Sequence, residues 1–486
     1  MKVKTKKGLL IGVGATAVTT LTLAYFLARK RRNSVPYAPG PKGMPIIGSI
    51  PEVRRDTLKA LHDAWQQYGD IAHMHLGPQH LTIVSHPDLT EEILVSGHQT
   101  FVKTGALPTG DPLSMGVGNG LLTNADPESW PRQRRMMQPI FHRKRIVSMG
   151  DKMTAAGERL VKHWDTDFKS GQAVDIEIEM RRVTLDVINQ TMFTADVLGA
   201  ADKIGPAMTT AVQFTFHHIQ NPFMPPLSWP TRENRAFKAA MRTLDEIVYG
   251  FIEVRRQTNA AHDDLLDMLL QARDEETGQG MHDIELRDEV LTIFAAGHET
   301  TANALTWTFY LLSQHPEILE RLQAEVDSVL NGRSPTMADL PNLPYTKQVF
   351  DESLRHYPPV TAIPRVVLTD TIFHDYLIPA GSNVVVSIYN IHHHPEFWQN
   401  PTAFDPDRFT PERKKGRHRL AYLPFGAGQR ICIGINFALI EGPLLLALIA
   451  QRYELRLVPD HPVATEIAVT MRPRYGMKMT LHPRKQ

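Results

Sequence analysis

Cysteine is nearly absent: Cys432 is the only one in 486 residues. One thiol excludes a disulfide framework within the chain and any cysteine-rich zinc or iron–sulfur site. It leaves Cys432 as a structural thiol, a nucleophile or a single thiolate ligand. Net charge is nearly absent too. Lys+Arg number 53 against Asp+Glu 52, a formal +1, which excludes a chain built mainly to neutralise phosphates and gives no reason to expect a nucleic-acid partner. Internal repeats and low-complexity tracts are missing, and so are long apolar runs, with one exception. What is present is 42% hydrophobic beside 22% charged residues, enough for a packed core and too much for wholesale disorder. At roughly 100–200 residues per domain, the length fits one large domain or two or three ordinary ones.

The exception is residues 8–28, GLLIGVGATAVTTLTLAYFLA, which carry no charge. As a helix they are long enough to cross a hydrocarbon core of about 30 Å. Lys2, Lys4, Lys6 and Lys7 precede the run, and Arg29, Lys30, Arg31 and Arg32 follow it, so charge alone does not set the orientation. The run is long for a cleaved signal and no small-x-small site follows it before the basic stop. Residues 1–32 therefore read as a single-pass N-terminal membrane anchor with basic flanks, with the rest of the chain tethered on the cytoplasmic side. Gly12, Gly14 and Ala17 spell GxGxxA, but no strand precedes them and basic residues stand about where the ribose-binding acid belongs, so no dinucleotide site is read there. Residues 33–48, with Pro36, Pro39, Pro41 and Pro45, form a proline-rich hinge of fixed φ. Residues 49–486 are the remaining domain.

Within it, alternation predicts short strands near 71–76 and 81–84 around a Gly77-Pro78 turn. Helical patterns dominate from about 130 to 357. The longest runs from Asp283, the predicted N-cap, toward Ser313. The next has Pro316 in its first turn and Gly332 past its end, and a third runs from about Tyr345 to Tyr357. Strands return at 366–388 and 453–482. The fold class is mainly α (α+β), a large helical part with small β-sheets and no doubly wound sheet.

Three glycines surround the lone cysteine in Phe425-Gly426-Ala427-Gly428-Gln429-Arg430-Ile431-Cys432-Ile433-Gly434. They let the backbone turn tightly and approach a flat partner. Amides after the cysteine can tune a thiolate, and Arg430 offers a fixed cation. In the longest helix, Ala296-Gly297-His298-Glu299-Thr300-Thr301 places a carboxyl and a hydroxyl beside a glycine, the groups that proton delivery requires. By itself this string is equally an ordinary packing notch, with Thr300 bonded back to the Ala296 carbonyl. Glu352-Ser353-Leu354-Arg355 and Pro406-Asp407-Arg408-Phe409 follow, the first of them by itself an ordinary helical ion pair. Upstream, Trp130 and Arg134 are i,i+4 on a helix predicted to start with Pro131.

The ten-residue loop fills every fixed position of FxxGxRxCxG, and in this it resembles the heme-binding loop of the cytochrome P450 family. The other strings match that family in its order: WxxxR, AGxET, ExxR, and PDRF in place of PERF. The resemblance covers about residues 36–482. It implies the cytochrome P450 fold, with Cys432 as the axial thiolate of a heme b iron (iron protoporphyrin IX) and O2 as co-substrate. It implies Phe425, Gly426, Arg430, Trp130, Arg134 and Arg365 around the cofactor, the cations at its propionates, with Lys103 as a further candidate. Glu352, Arg355 and Arg408 are implied to be a buried structural cluster. Thr300 is implied to orient dioxygen and Glu299 to belong to a proton relay. The implied activity is a heme-thiolate monooxygenase inserting one oxygen atom into a lipophilic substrate (fatty acid, terpenoid or steroid-like), and residues 118–141 resemble the branch that includes fatty-acid hydroxylases. A peroxide-using or peroxide-rearranging enzyme and a non-catalytic heme sensor are the alternatives.

Ala296 stands where some members carry a heme-bonding glutamate, so no ester to heme is expected. Electrons are expected from a separate flavoprotein reductase, ferredoxin or flavodoxin, docking on a basic face of Arg132, Arg135, Arg143, Lys144, Arg145 and the 413–417 run. An apolar lip is expected over 214–229 beside the membrane, and His392, His393 and His394, which fall where the resemblance implies a loop, are read as structural.

Overall fold

The computed structural model describes residues 35–107, 110–193, 198–220, 224–257 and 264–484. The predicted anchor, residues 33 and 34 of the hinge, and Asn221, Pro222 and Phe223 of the predicted lip lie outside them. The helices of nine or more residues are α1 (Thr57–Tyr68), α2 (Ser129–Met137), α3 (Gly150–Asp167), α4 (Ile176–Met192), α5 (Leu198–Gln220), α6 (Arg232–Gln257), α7 (Asp283–Gln314), α8 (Pro316–Leu330), α9 (Pro344–His356) and α10 (Ile435–Arg452). The strands are β1 (Ile71–Leu76), β2 (Gln79–Val84), β3 (Phe101–Val102), β4 (Ala173–Asp175), β5 (Ala362–Val367), β6 (Thr371–Phe373), β7 (Tyr376–Ile378), β8 (Asn383–Ser387), β9 (Tyr453–Leu457), β10 (Thr465–Ile467), β11 (Met471–Pro473) and β12 (Lys478–Pro483).

Burial explains why α7 is central. It runs 32 residues, and apolar or small side chains cover almost its whole circumference, the mark of a helix inside a core. Its nearest partner is α4. A Cβ on Gly297 would stand 2.7 Å from Ile188 Cδ1, so the glycine lets the two helices close up. The Thr184 hydroxyl then bridges them by donating to the His298 carbonyl at 3.0 Å. The helix N-terminus differs from expectation. The cap is His282, which closes a reciprocal capping box with Glu285; Asp283 is already helical. Likewise α2 starts at Ser129, two residues before Pro131.

A second stretch besides residues 8–28 has the length and hydropathy of a membrane span, contrary to expectation. It is α10, whose residues are mostly buried against α3, α8 and α9 as core. The sheets are small, as the fold class requires. Five strands pair in the order β1-β2-β8-β5-β3, antiparallel except for β2 with β8. Three pair as β4-β12-β9, and β6-β7 and β10-β11 are two-stranded.

Candidate active site

The cysteine loop is shaped by contacts that exclude side chains. Gly428 has φ +72°, and a Cβ there would lie 1.9 Å from the Leu94 carbonyl oxygen, so only glycine fits. Gly426, also at positive φ, faces Ile363 Cδ1. The Cys432 amide donates to the Phe425 carbonyl at 2.9 Å, which folds the loop back on itself. Protein surrounds the Cys432 sulfur, yet the residue remains accessible on one side. Burial pushes its thiol pKa up, while the Gly434 amide and the Arg134 charge pull it down.

Around this loop four cations gather. Arg134 donates to the Ile431 carbonyl at 3.0 Å. Arg430 donates to the Asn124 carbonyl at 2.9 Å, and its guanidinium lies 4.1 Å from the Trp130 ring centre. Trp130 spends its own N–H on the Leu121 carbonyl at 3.0 Å. Lys103 pairs with buried Asp111 at 2.7 Å. Arg365 is buried, and its hydrogen bond among the described residues goes to the Pro364 carbonyl next door. Burial brings the Arg365 and Arg430 guanidinium pKa values down to about 10, and for Arg430 the repulsion of Arg365 adds to it. Lys103 is lowered by burial against the pull of Asp111. Among the described residues Asp111 is the carboxylate seen by this group: it pairs with Lys103 and attracts Arg430, while neither Arg134 nor Arg365 is paired with it. That imbalance inside a desolvated region fits a ligand edge bearing two carboxylates, and a single accessible thiol beside it fits an axial metal ligand. The residues present therefore suit heme.

On α7, Ala296 and Thr300 are one turn apart on the same face, and both are accessible although most of the helix is buried. The Thr300 hydroxyl donates to the Ala296 carbonyl at 2.8 Å. Glu299, one residue away, is buried and turned elsewhere: its Oε1 accepts from the Thr470 hydroxyl at 2.8 Å, which accepts from Asn303 Nδ2 at 2.9 Å.

Glu352, Arg355 and Arg408 form a separate, closed cluster. Arg355 grips both Glu352 oxygens at 2.8 Å, and Arg408 Nε and the Asp405 amide add bonds of 3.2 and 3.0 Å. The remaining guanidinium donors of Arg355 reach the carbonyls of His392, Pro401 and Ala403. Burial alone would raise the Glu352 pKa, but Arg355 and His356 outweigh it and hold the carboxyl down at about 2.

Sequence reading missed Asp111 and Glu441, and the linking role of His392. Asp111 has no spacing signal, since its relation to Lys103 arises through a loop. His392 links the closed cluster to the cysteine loop: Nδ1 lies 3.2 Å from the Arg355 carbonyl, and Nε2 accepts from the Leu423 amide at 2.9 Å. Burial lowers its pKa to about 3, so the ring is neutral. The three histidines stand at and just past the end of a short helix. Helix Ile388–His392 ends there, and all three are buried. Glu441 was legible, as the one acid in the apolar run of α10. It is fully buried, neither oxygen has a hydrogen-bond partner of good geometry among the described residues, and burial raises its pKa to about 8 against a smaller pull from Thr301.

Two surface expectations change. Arg132 pairs with Glu285, Arg135 with Asp274 and Glu276, and Arg413 with Asp405, so the basic face is partly neutralised within the chain. Phe214 is core, stacked 4.3 Å from Phe237, whereas Trp229 is 60% exposed and keeps part of the lip.

The comparisons agree with this geometry. A protein-family profile described as Cytochrome P450 matches residues 38–479. Cyclooctatin synthase of Streptomyces melanosporofaciens is 35% identical, over 91% of this chain and 93% of its own. Cyclooctat-9-en-7-ol 5-monooxygenase from the same organism is 36% identical, over 86% and 89%. Pentalenene oxygenase of Streptomyces avermitilis is 32% identical, over 89% and 95%. Among solved structures, the cytochrome P450DA heme domain superposes with a TM-score of 0.83 at 29% identity, covering 93% of this chain and 98% of that one.

Proposed function

The chain belongs to the cytochrome P450 family of monooxygenases, and on that premise we propose that it inserts one oxygen atom of O2 into a lipophilic substrate with a terpenoid-like carbon skeleton. The observation that supports the cofactor side of this reading is the group of Lys103, Arg134, Arg365 and Arg430, of which Lys103 alone forms an ion pair among the described residues, beside an accessible Cys432. The substrate class is narrowed by two relatives whose names denote oxidation of cyclooctat-9-en-7-ol and pentalenene. The fatty-acid end of the range has no such support.

The cofactor is heme b held without a covalent ester, since Ala296 offers no carboxylate. When bound, it supplies the oxygen-activating and oxygen-transfer chemistry. With heme bound, Cys432 would ligate the iron, and Arg134, Arg365, Arg430 and Lys103 would neutralise the propionates. Trp130 seats Arg430 through its ring. Thr300 would orient dioxygen through its hydroxyl, which here donates to the Ala296 carbonyl. Glu299, whose Oε1 accepts from Thr470, would belong to the proton relay that serves Thr300. Glu352, Arg355 and Arg408 hold the loop from beneath and take no part in the chemistry. Residues 1–32 tether residues 49–486 to a membrane through the hinge at 33–48, with the catalytic part on the cytoplasmic side. Electrons arrive from a separate flavoprotein reductase, ferredoxin or flavodoxin.

The reduced, carbon-monoxide-bound spectrum tests the cofactor: a thiolate-type band is expected, and its absence overturns the reading. A ligand screen on the same sample tests the substrate. Cyclic terpenoid-like compounds are expected to shift the heme spin state, and a response to polar metabolites alone refutes the substrate class. Thr300→Ala is expected to lower product formed per electron several-fold while changing stability by about 1 kcal/mol or less.

A further inference from the structure

The hairpin of β1 and β2 carries a group that the catalytic site does not use. Residues two apart on a strand share a face, so His73 and His75 lie together on β1. His80 on β2 stands directly opposite His75. The three imidazoles therefore converge. Their ring centres are 4.6 Å (His73–His75), 4.7 Å (His75–His80) and 5.2 Å (His73–His80) apart. His73 Nε2 and His80 Nδ1 are 3.0 Å apart, and one nitrogen from each ring lies within 4.8 Å of the other two. His73 is buried, while His75 and His80 are half-buried. The 3.0 Å contact is a hydrogen bond between two rings, and a cation would replace its shared proton.

We propose that His73, His75 and His80 bind one late first-row divalent cation, zinc(II) in the first instance, through three imidazole nitrogens with a fourth position open. Zinc–imidazole bonds of 2.0–2.1 Å in tetrahedral geometry separate the nitrogens by about 3.3 Å. The His73–His80 pair is already near that distance, and rotation of His75 on a fixed hairpin closes the third side. A donor set of imidazoles alone suits zinc, copper(II) or nickel(II) rather than magnesium or calcium.

The site lies where the proline-rich hinge meets the five-stranded sheet. The Tyr37 ring stacks on His73 at 5.0 Å and lies 5.1 Å from His80. The His73 amide donates to the Pro39 carbonyl at 2.9 Å. A Cβ on Gly40 would collide with the His73 carbonyl at 1.7 Å. A cation there stiffens the rings on which Tyr37 rests and so clamps the hinge to the catalytic body.

The test uses the heme-loaded full chain, treated with EDTA, equilibrated with zinc chloride and gel-filtered. Wild type is expected to retain one more zinc per chain than His75→Asn/His80→Asn, with the carbon-monoxide spectrum the same in both. Equal zinc contents overturn the proposal. Trypsin cleavage after exposed Lys42 is expected to slow several-fold with zinc in wild type only, and an unchanged rate overturns the clamp. If the double variant fails to fold, wild type alone decides. Zinc is expected to protect His73, His75 and His80 from diethyl pyrocarbonate, read by mass spectrometry, and undiminished modification refutes the site.

Discussion

Two groups of buried charge flank the cysteine loop, and they are built on opposite principles. In the Glu352 cluster nearly every donor has an acceptor: Arg355 alone makes five bonds to Glu352 and to three carbonyls. Around Arg365 and Arg430 the cations outnumber the carboxylates, and Arg365 reaches only its neighbour's carbonyl among the described residues. A satisfied buried cluster fixes a shape and asks for nothing more. An unbalanced one is costly unless a ligand completes it. On the proposed reading the first belongs to the scaffold and the second to the cofactor, although both gather cations near an acid.

The largest test of this division is the sulfur itself. Cys432→Ser is expected to abolish oxygenase activity and the thiolate-type carbon-monoxide band, because no second thiol exists in the chain. Next comes Glu352→Ala, which strands two arginines. It is expected to cost about 3–5 kcal/mol, measured by urea denaturation, and to yield little heme-loaded protein. The pH dependence has a definite sign. The Glu352 carboxyl is depressed from 4.5 to about 2, so its contribution, on the order of 3 kcal/mol, is full above pH about 4.5 and fades as pH falls toward 2. Loss of stability on acidification through that window is expected in wild type and not in Glu352→Gln.

The unbalanced group is expected to behave the other way. Arg365→Ala/Arg430→Ala should speed heme transfer to apomyoglobin roughly tenfold to a hundredfold, while the heme-free chain unfolds within about 1 kcal/mol of wild type, because repulsion is relieved. Equal losses of heme and of apoprotein stability would erase the distinction between the two groups. The smallest effect concerns Glu441, an acid with no cationic partner among the described residues. Its pKa is raised to about 8, so it contributes least as pH rises from about 4.5 to 8. Glu441→Gln is expected to raise the unfolding temperature at pH 8 by a few degrees more than at pH 5.

Much of this was legible in the chain because the chemistry is local. FxxGxRxCxG packs ligand, cation and turn glycines into ten residues, and β1 and β2 follow from alternation around Gly77-Pro78. The Thr300-to-Ala296 bond follows from helical spacing alone. Helix starts were read less well, because the His282 box looks in sequence like an ordinary loop before Asp283. Phe214, apolar and turn-flanked, resembled a lip residue until Phe237 covered it.

By itself the sequence determined the family, the order of the elements and the residues able to carry charge, since these depend on side-chain type at short spacing. Tertiary structure decided which charges are paired. Asp111 for Lys103, His392 beneath Leu423, Thr470 for Glu299 and the convergence of three histidines on one hairpin face all depend on where the folded backbone brings a partner. Pairing energy is set by distance and desolvation, and neither is written in the spacing of residues along the chain.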